Sequence, residues 1–225
     1  SDPSLLADET WELNPVSLYA ETKVAVEEAI LDLPKSVMLA TTLRFATVFG
    51  VGARMRFDLT VNEFTLDLIT KQNLVVFGEQ FWRPYVHVRD AARAISTVLG
   101  SNSSKVAGQV FNVGSTKQNY QKKQLVEMIR PYAHDAIIEY IVKQQDPRSY
   151  RVSFEKAASK LPGFEPQWTL EKGIIELRDA LCTVDGLRDA IADRRYTRLH
   201  QLQYLMSEGF VDSNLRPSGA LNAAT

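Results

Sequence analysis

The chain has 225 residues, 45% of them hydrophobic, with 26 basic against 27 acidic side chains. Such a chain can bury a core, and its near-zero charge balance argues against a nucleic-acid-binding or membrane-binding surface. One cysteine, Cys182, excludes an internal disulfide, no apolar run reaches the ~20 residues of a membrane span, and no signal-peptide pattern opens the chain, so the expected compartment is the cytoplasm.

Ser1 to Asn14 is polar, carries a proline and shows no apolar period, which predicts a loop. Pro15 precedes a helix whose apolar stripe runs through Val26, Ala29, Ile30 and Leu33, and Pro34 stops it. Val37 to Leu43 is an almost uninterrupted apolar run, the pattern of a strand covered on both faces in a parallel sheet. Helix then buried strand, joined by a short loop, is an α/β unit. A second helix opens at Val61 to Phe64 and carries Leu66, Leu68 and Ile69, and Leu74 to Gly78 is a short strand and turn. Asp90 suits the N-cap of a helix through Ala91, Ala94, Ile95, Val98 and Leu99. A polar loop from Gly100 to Lys105 leads to a strand at Gly108 to Gly114, an amphipathic helix marked by Leu125, Met128 and Ile129, and a strand from Ile137 to Val142. Thr169 caps a helix from Leu170 to Leu181. Beyond Asp185, a basic stretch precedes Leu199, Leu202, Leu205 and Met206 at helical spacing, which predicts an amphipathic helix docking on its own domain or on a second subunit. Ser213 to Thr225 has the character of a frayed end.

Tyr19 and Lys23 stand four residues apart near the start of the first helix, so phenol and ammonium project from one face. A cation beside a phenol favours phenolate, which suits a tyrosine to proton transfer alongside a nicotinamide hydride. The spacing alone also describes an ordinary solvated helix face, and the neighbouring residues choose between the two. Asp8-Glu9, Pro15 and Ser17-Leu18-Tyr19-Ala20-Glu21-Thr22-Lys23 come first, then Leu43-Arg44-Phe45-Ala46-Thr47-Val48-Phe49-Gly50. Gly78 and Arg83-Pro84-Tyr85-Val86-His87-Val88-Arg89-Asp90 follow, then Phe111-Asn112-Val113-Gly114 and Asp146-Pro147-Arg148-Ser149-Tyr150. In this order, over roughly residues 8 to 180, the motifs resemble the nucleotide-sugar epimerase/dehydratase branch of the extended short-chain dehydrogenases/reductases.

The resemblance implies an α/β fold: the C-terminal part of a Rossmann-type doubly wound parallel sheet plus a smaller α/β substrate-binding lobe. Residues 1–50 would be the remainder of the dinucleotide-binding domain, 51–84 a substrate-lobe segment, 85–114 the return to the main domain, 115–185 the substrate-binding lobe, and 186–225 a C-terminal helix and tail. It makes Tyr19 the catalytic acid/base and Lys23 the holder of the nicotinamide ribose. Phe45, Thr47 and Val48 would lie beside the cofactor, and Thr47, Arg56, Asn62, Arg83 and Arg148 would contact the nucleotide sugar. Thr47 stands where the family commonly has Asn. For Arg54 and Arg56, a diphosphate contact and a surface ion pair with Asp58 both remain open. The implied cofactor is NAD or NADP, NAD favoured, without a metal. His87, His134 and His200 are too scattered to make a ligand set, and His87 has the character of a packed, hydrogen-bonded side chain. A homodimer is implied, with Val24, Ala25, Glu28 and Leu31 of the first helix facing the second subunit.

The family's Gly-x-x-Gly-x-x-Gly phosphate loop is not among these residues, nor is the Ser or Thr that assists the tyrosine. The expectation is therefore the C-terminal two thirds of an NAD(P)-dependent nucleotide-sugar epimerase, dehydratase or 4-keto-reductase that oxidises an NDP-hexose or heptose at C4. The alternative is a non-catalytic half-enzyme that binds a sugar nucleotide or a partner subunit.

Overall fold

Helix α1 (Leu18–Leu31) starts where Ser17, in extended backbone, accepts a hydrogen bond from the Ala20 N–H at 3.3 Å. In the computed structural model, which describes residues 5–70, 73–144, 149–184 and 194–218, this helix buries no residue completely. Its inner side is Ala20, Val24, Glu27, Ile30 and Leu31, whereas Val26 and Leu33 of the expected stripe are exposed. Glu27 sets the rotation. Its carboxylate takes the Arg44 guanidinium of β2 (Thr41–Phe45) in a two-point ion pair, Nε to Oε2 at 3.0 Å, with little of either side chain in solvent. A charged fork of this kind outweighs a few half-covered methyl groups, and a count of apolar spacing does not register it. Val24 and Leu31, expected to face a second subunit, are half-buried by the chain itself.

The apolar run after α1 becomes a strand only from Thr41, and Val37, Met38 and Leu39 are exposed. β2 pairs in parallel with β6 (Gln109–Val113), from Thr41 opposite Gln109 to Phe45 opposite Val113. Leu43 packs with Val98 against a core of Ala94, Val106, Phe111, Val113, Leu161 and Phe164, while the next residue, Arg44, turns to Glu27. Coverage on that one side explains why β2 is half-buried where a strand buried on both faces was expected.

The other pairings carry the chain across long sequence distances. β1 (Leu6–Ala7) lies parallel to β9 (Arg151–Val152), so the opening stretch is not wholly a loop; two residues are too few for a period to show. β3 (Thr47–Phe49) runs parallel to β5 (Trp82–His87), which pairs antiparallel with β7 (Asn119–Gln121). β4 (Asn73–Phe77) runs parallel to β8 (Ile137–Ile141). Helices α2 (Thr60–Thr70), α5 (Lys122–Ile129) and α7 (Leu170–Cys182) enclose the largest core with β4 and β5, around Val61, Leu68, Leu74, Tyr85, Leu125 and Ile174.

Helix α3 (Val88–Gly100) buries Ala91 and Ala94 but leaves Ile95 and Leu99 exposed. Its N-cap is His87, not Asp90. Asp90 is one turn too late to cap, and its buried carboxylate instead accepts the N–H groups of Gln167, at 3.0 and 3.1 Å, and Trp168, at 2.9 Å. The polar loop after it contains a one-turn helix, α4 (Ser103–Val106), capped by Asn102. α6 (Glu155–Lys160) sits against β6, and α8 (Arg198–Ser207) follows beyond the undescribed 185–193 stretch. The expected fraying from Ser213 gives way to a bridge between Val211 and Pro217; 219–225 lie outside the described residues. Among the described residues no helix is long and apolar enough to cross a membrane.

Candidate active site

The Ser17 cap and the Glu27–Arg44 pair fix where α1 begins and how it is turned, and so where Tyr19 and Lys23 point. Both side chains are exposed, Tyr19 by 73%, with the Lys23 Nζ 5.5 Å from the centre of the phenol ring. Phe45 closes β2 with 40% of its surface open, and Thr47 and Val48 open β3 half-buried. Between them Ala46 is buried and its N–H donates to the Val113 carbonyl at 3.0 Å, which makes the step from one strand pair to the next.

The loop after β3 turns at Gly50, whose φ of +111° favours glycine. Asn62 holds that loop from inside. Its Oδ1 accepts the Gly50 N–H at 3.1 Å and its Nδ2 donates to the Arg56 carbonyl at 3.0 Å. With 3% of its surface exposed, Asn62 has its amide committed to the loop backbone, where a substrate contact was expected. Arg56 forms a fork with Asp58, at 3.0 and 2.6 Å, so the ion-pair alternative is the one the structure takes. These hydrogen bonds chiefly, then the charges of Asp58 and Tyr19, hold the guanidinium above its ordinary range against partial burial. Tyr19 and Arg56 are therefore brought within electrostatic reach of each other. The same fork, aided by Arg198, holds the Asp58 carboxyl below its ordinary range.

Arg83, half-buried on β5 opposite Tyr120, donates from Nη1 to the Trp82 carbonyl at 2.7 Å. Arg148 lies outside the described residues. A contributor absent from the expected set is the C-terminal segment, which closes a cavity of about 540 Å³ against the Arg54–Asp58 loop. Tyr196 meets Phe57 there with ring centres 5.8 Å apart. The apolar spacing of Leu199 and Leu202 was the signal for a docking helix, but nothing local named its target.

Behind this loop His87 is enclosed and hydrogen-bonded, as expected. Its ring stacks on Trp168 at 4.1 Å and meets Phe49 edge-on. Nδ1 accepts the Arg89 N–H at 3.3 Å, so the neutral ring carries its proton on Nε2, which donates to Glu176 at 2.9 Å. Glycine is required on two sides: a Cβ on Gly50 would lie 2.3 Å from His87 Nε2, and one on Gly173 2.9 Å from its Cδ2. Burial is the largest influence and lowers the imidazole from its ordinary value of 6.5, although Glu176 pulls the other way. A histidine whose folded value is depressed contributes stability that is present above the unfolded value and lost as pH falls. The chain should accordingly lose thermal stability below about pH 6.5, and His87→Gln should flatten the slope of Tm between about pH 7 and pH 5.5. An unchanged slope in that variant would refute the assignment.

Parallel strand pairs joined through helices, with an exposed Tyr-x-x-x-Lys turn on the helix preceding β2, define a Rossmann-type α/β protein of the extended short-chain dehydrogenase/reductase class. The chain belongs to the NAD-dependent epimerase/dehydratase family, whose sequence pattern matches residues 2–114. An uncharacterised protein of Schizosaccharomyces pombe is 28% identical over 213 residues, 79% of this chain and 56% of that one. RMD from Pseudomonas aeruginosa, solved with NADPH, superposes with a TM-score of 0.68 at 19% identity, over 80% of this chain and 61% of that one. UDP-glucuronic acid 4-epimerase from Bacillus cereus, solved with UDP-glucuronic acid and NAD, gives 0.67 at 20% identity, over 77% and 55%. The chain thus spans little more than half the length of these proteins, and at such identities the structural likeness shows the fold.

Proposed function

We propose that this chain is the substrate-binding and acid/base part of an NAD(P)-dependent nucleotide-sugar epimerase, dehydratase or 4-keto-reductase. The observation that carries the reading is the exposed Tyr-x-x-x-Lys turn of α1, with the Lys23 Nζ 5.5 Å from the centre of the Tyr19 ring. Tyr19 takes the proton of the sugar C4 hydroxyl and later returns it. Arg83 and Arg148 hold the diphosphate, while Asn62 acts one step back by fixing the loop that carries Arg56.

The residues present fit the nicotinamide end of a dinucleotide. Lys23 would hold its ribose, with Phe45, Thr47 and Val48 at the ends of β2 and β3 beside the ring. When bound, the nicotinamide accepts and returns the hydride. The phosphate cradle is assigned to residues outside these 225, because no glycine-rich fingerprint occurs within them. The exposed apolar side chains of the N-terminal part, Trp11, Leu18, Val26, Val37, Met38 and Leu39 among them, form the surface such a nucleotide-binding half would cover. A homodimer would then use the outer face of α1, Ala25, Val26 and Ala29, in place of Val24 and Leu31.

Two measurements test the reading. Calorimetry on residues 1–225 should show nucleotide sugars binding while NAD binds no tighter than about 1 mM. Product analysis on a protein that also carries the glycine-rich half should show NAD-dependent conversion of a UDP-, dTDP-, GDP- or ADP-sugar. Submillimolar NAD binding by the chain alone would overturn the division of labour, and absence of any conversion by the completed protein would overturn the activity.

A further inference from the structure

Helix α7 lies beyond the family match, which ends at residue 114, yet it touches the end of the strand that carries Thr47 and Val48. On one face it bears Gly173 and, one turn later, Glu176. Gly173 lets the helix close in: a Cβ there would stand 2.3 Å from the Phe49 ring and 2.9 Å from His87 Cδ2. Glu176 then reaches two partners, its Oε2 taking His87 Nε2 at 2.9 Å and its Oε1 the Arg89 guanidinium at 2.7 Å. We propose that Glu176 is a positioning residue for the cofactor side of the site, acting through His87 and Gly50 on Thr47 and Val48 of β3. The inference rests on the reading above that sets those two residues beside the nicotinamide, and it adds a residue that no sequence motif marks.

Each link from Glu176 to β3 is a direct contact. Phe49, the last residue of β3, stands in register opposite His87 at the end of β5, and Gly50 turns the chain directly after it. The His87 ring lies against Gly50 from one side, and Asn62 accepts the Gly50 N–H from another. The end of β3 is thus held between an amide and a ring, and the two ring nitrogens fix how that ring sits. Nδ1 is tied to the Arg89 N–H at 3.3 Å, and Glu176 ties Nε2. Packing alone does not choose this orientation. Trp168 stacks on the ring with planes 10° apart, and a ring turned over has the same outline with carbons and nitrogens exchanged. Without the carboxylate, Nε2 would be left as an unpaired donor on a side chain that is 0% exposed, and the ring would turn or shift to relieve it.

The consequence falls on the cofactor side because β3 is only three residues long, Thr47 to Phe49, and has no length over which to absorb a displacement of its end. A misplacement of about 1 Å among groups that orient a reactant costs up to about 10²-fold in rate. The second partner of Glu176 lies at the surface: the Arg89 side chain is 59% exposed and rests over the Trp168 ring at 4.9 Å. An ion pair so placed contributes little, so the two bonds of the carboxylate can be separated by experiment.

The test compares Glu176→Ala, Glu176→Gln and Arg89→Ala. In NMR spectra of the 225-residue chain, Glu176→Ala should displace the amide signals of Thr47, Val48 and Gly50. Glu176→Gln, whose amide oxygen still accepts the Nε2 proton, and Arg89→Ala, which loses only the surface ion pair, should leave them in place. In the completed enzyme, well below its Tm, Glu176→Ala should lower kcat by about 10–100-fold with nucleotide-sugar Kd within about twofold of wild type, and Glu176→Gln should recover most of the rate. If Glu176→Ala does not fold, Glu176→Asp, shorter by one methylene, takes its place with the same expected directions. Unmoved amide signals, an unchanged kcat beside a lowered Tm, or equal rate losses in Glu176→Ala and Arg89→Ala would each overturn this inference and spare the proposed function. A completed wild-type enzyme without any turnover would overturn both.

Discussion

Tyr19→Phe is expected to lower turnover of the completed enzyme by about 10²–10⁴-fold while leaving nucleotide-sugar affinity within about twofold of wild type. In the proposed mechanism its hydroxyl acts on a proton in flight, whereas the sugar nucleotide is held by guanidinium groups on other elements. Being 73% exposed at the start of α1, Tyr19 contributes little packing of its own, so removing one oxygen should not disturb the fold. The comparison to make is kcat against KM, with the dissociation constant of the nucleotide sugar measured separately. Equal losses in rate and affinity would show that Tyr19 is a binding residue and would remove the acid/base assignment.

Gly50→Ala should be the most damaging single-methyl change in the loop that frames the site. The backbone there has φ of +111°, which L-residues rarely adopt, and the new Cβ would stand 2.3 Å from His87 Nε2. His87 cannot retreat: Trp168 is stacked on one face, Phe49 lies at its edge and Glu176 holds its nitrogen. Backbone strain plus overpacking costs about 3 kcal/mol or more, which for a chain of this size lowers Tm by roughly 6–12 °C. A change under about 2 °C would mean that the loop relaxes freely and that the enclosure of His87 is not rigid.

What could be read before folding was local. The helix of Tyr19 and Lys23 announces itself through Pro15 and Pro34, the α7 helix through Thr169, and the packed character of His87 through its distance in sequence from His134 and His200. What could not be read depends on partners far along the chain. The rotation of α1 follows from Glu27 meeting Arg44, a polar pair invisible to apolar spacing. Asp90 looked like a helix cap because its true partners, the N–H groups of Gln167 and Trp168, belong to a loop much later in the sequence. Asn62 was legible as a residue of the site but not in its role, since its place in a motif does not say whether the amide faces a ligand or its own loop. The Tyr196–Leu202 wall shares no family motif, so only folding reveals that it faces Arg54 and Arg56.

The parallel pairing of β1 with β9 bears on how the chain is made. Leu6 finds its register only when Arg151 is available, so the segment before α1, with Glu9 bonded to the Asn112 N–H, settles only after residues far along the chain have been made. Contacts closed over such spans pay their loop entropy before they are rewarded, which slows folding and leaves intermediates exposed. Tyr19 and Lys23 follow directly on that segment, so the framework that aims them is complete only once β9 has paired with β1.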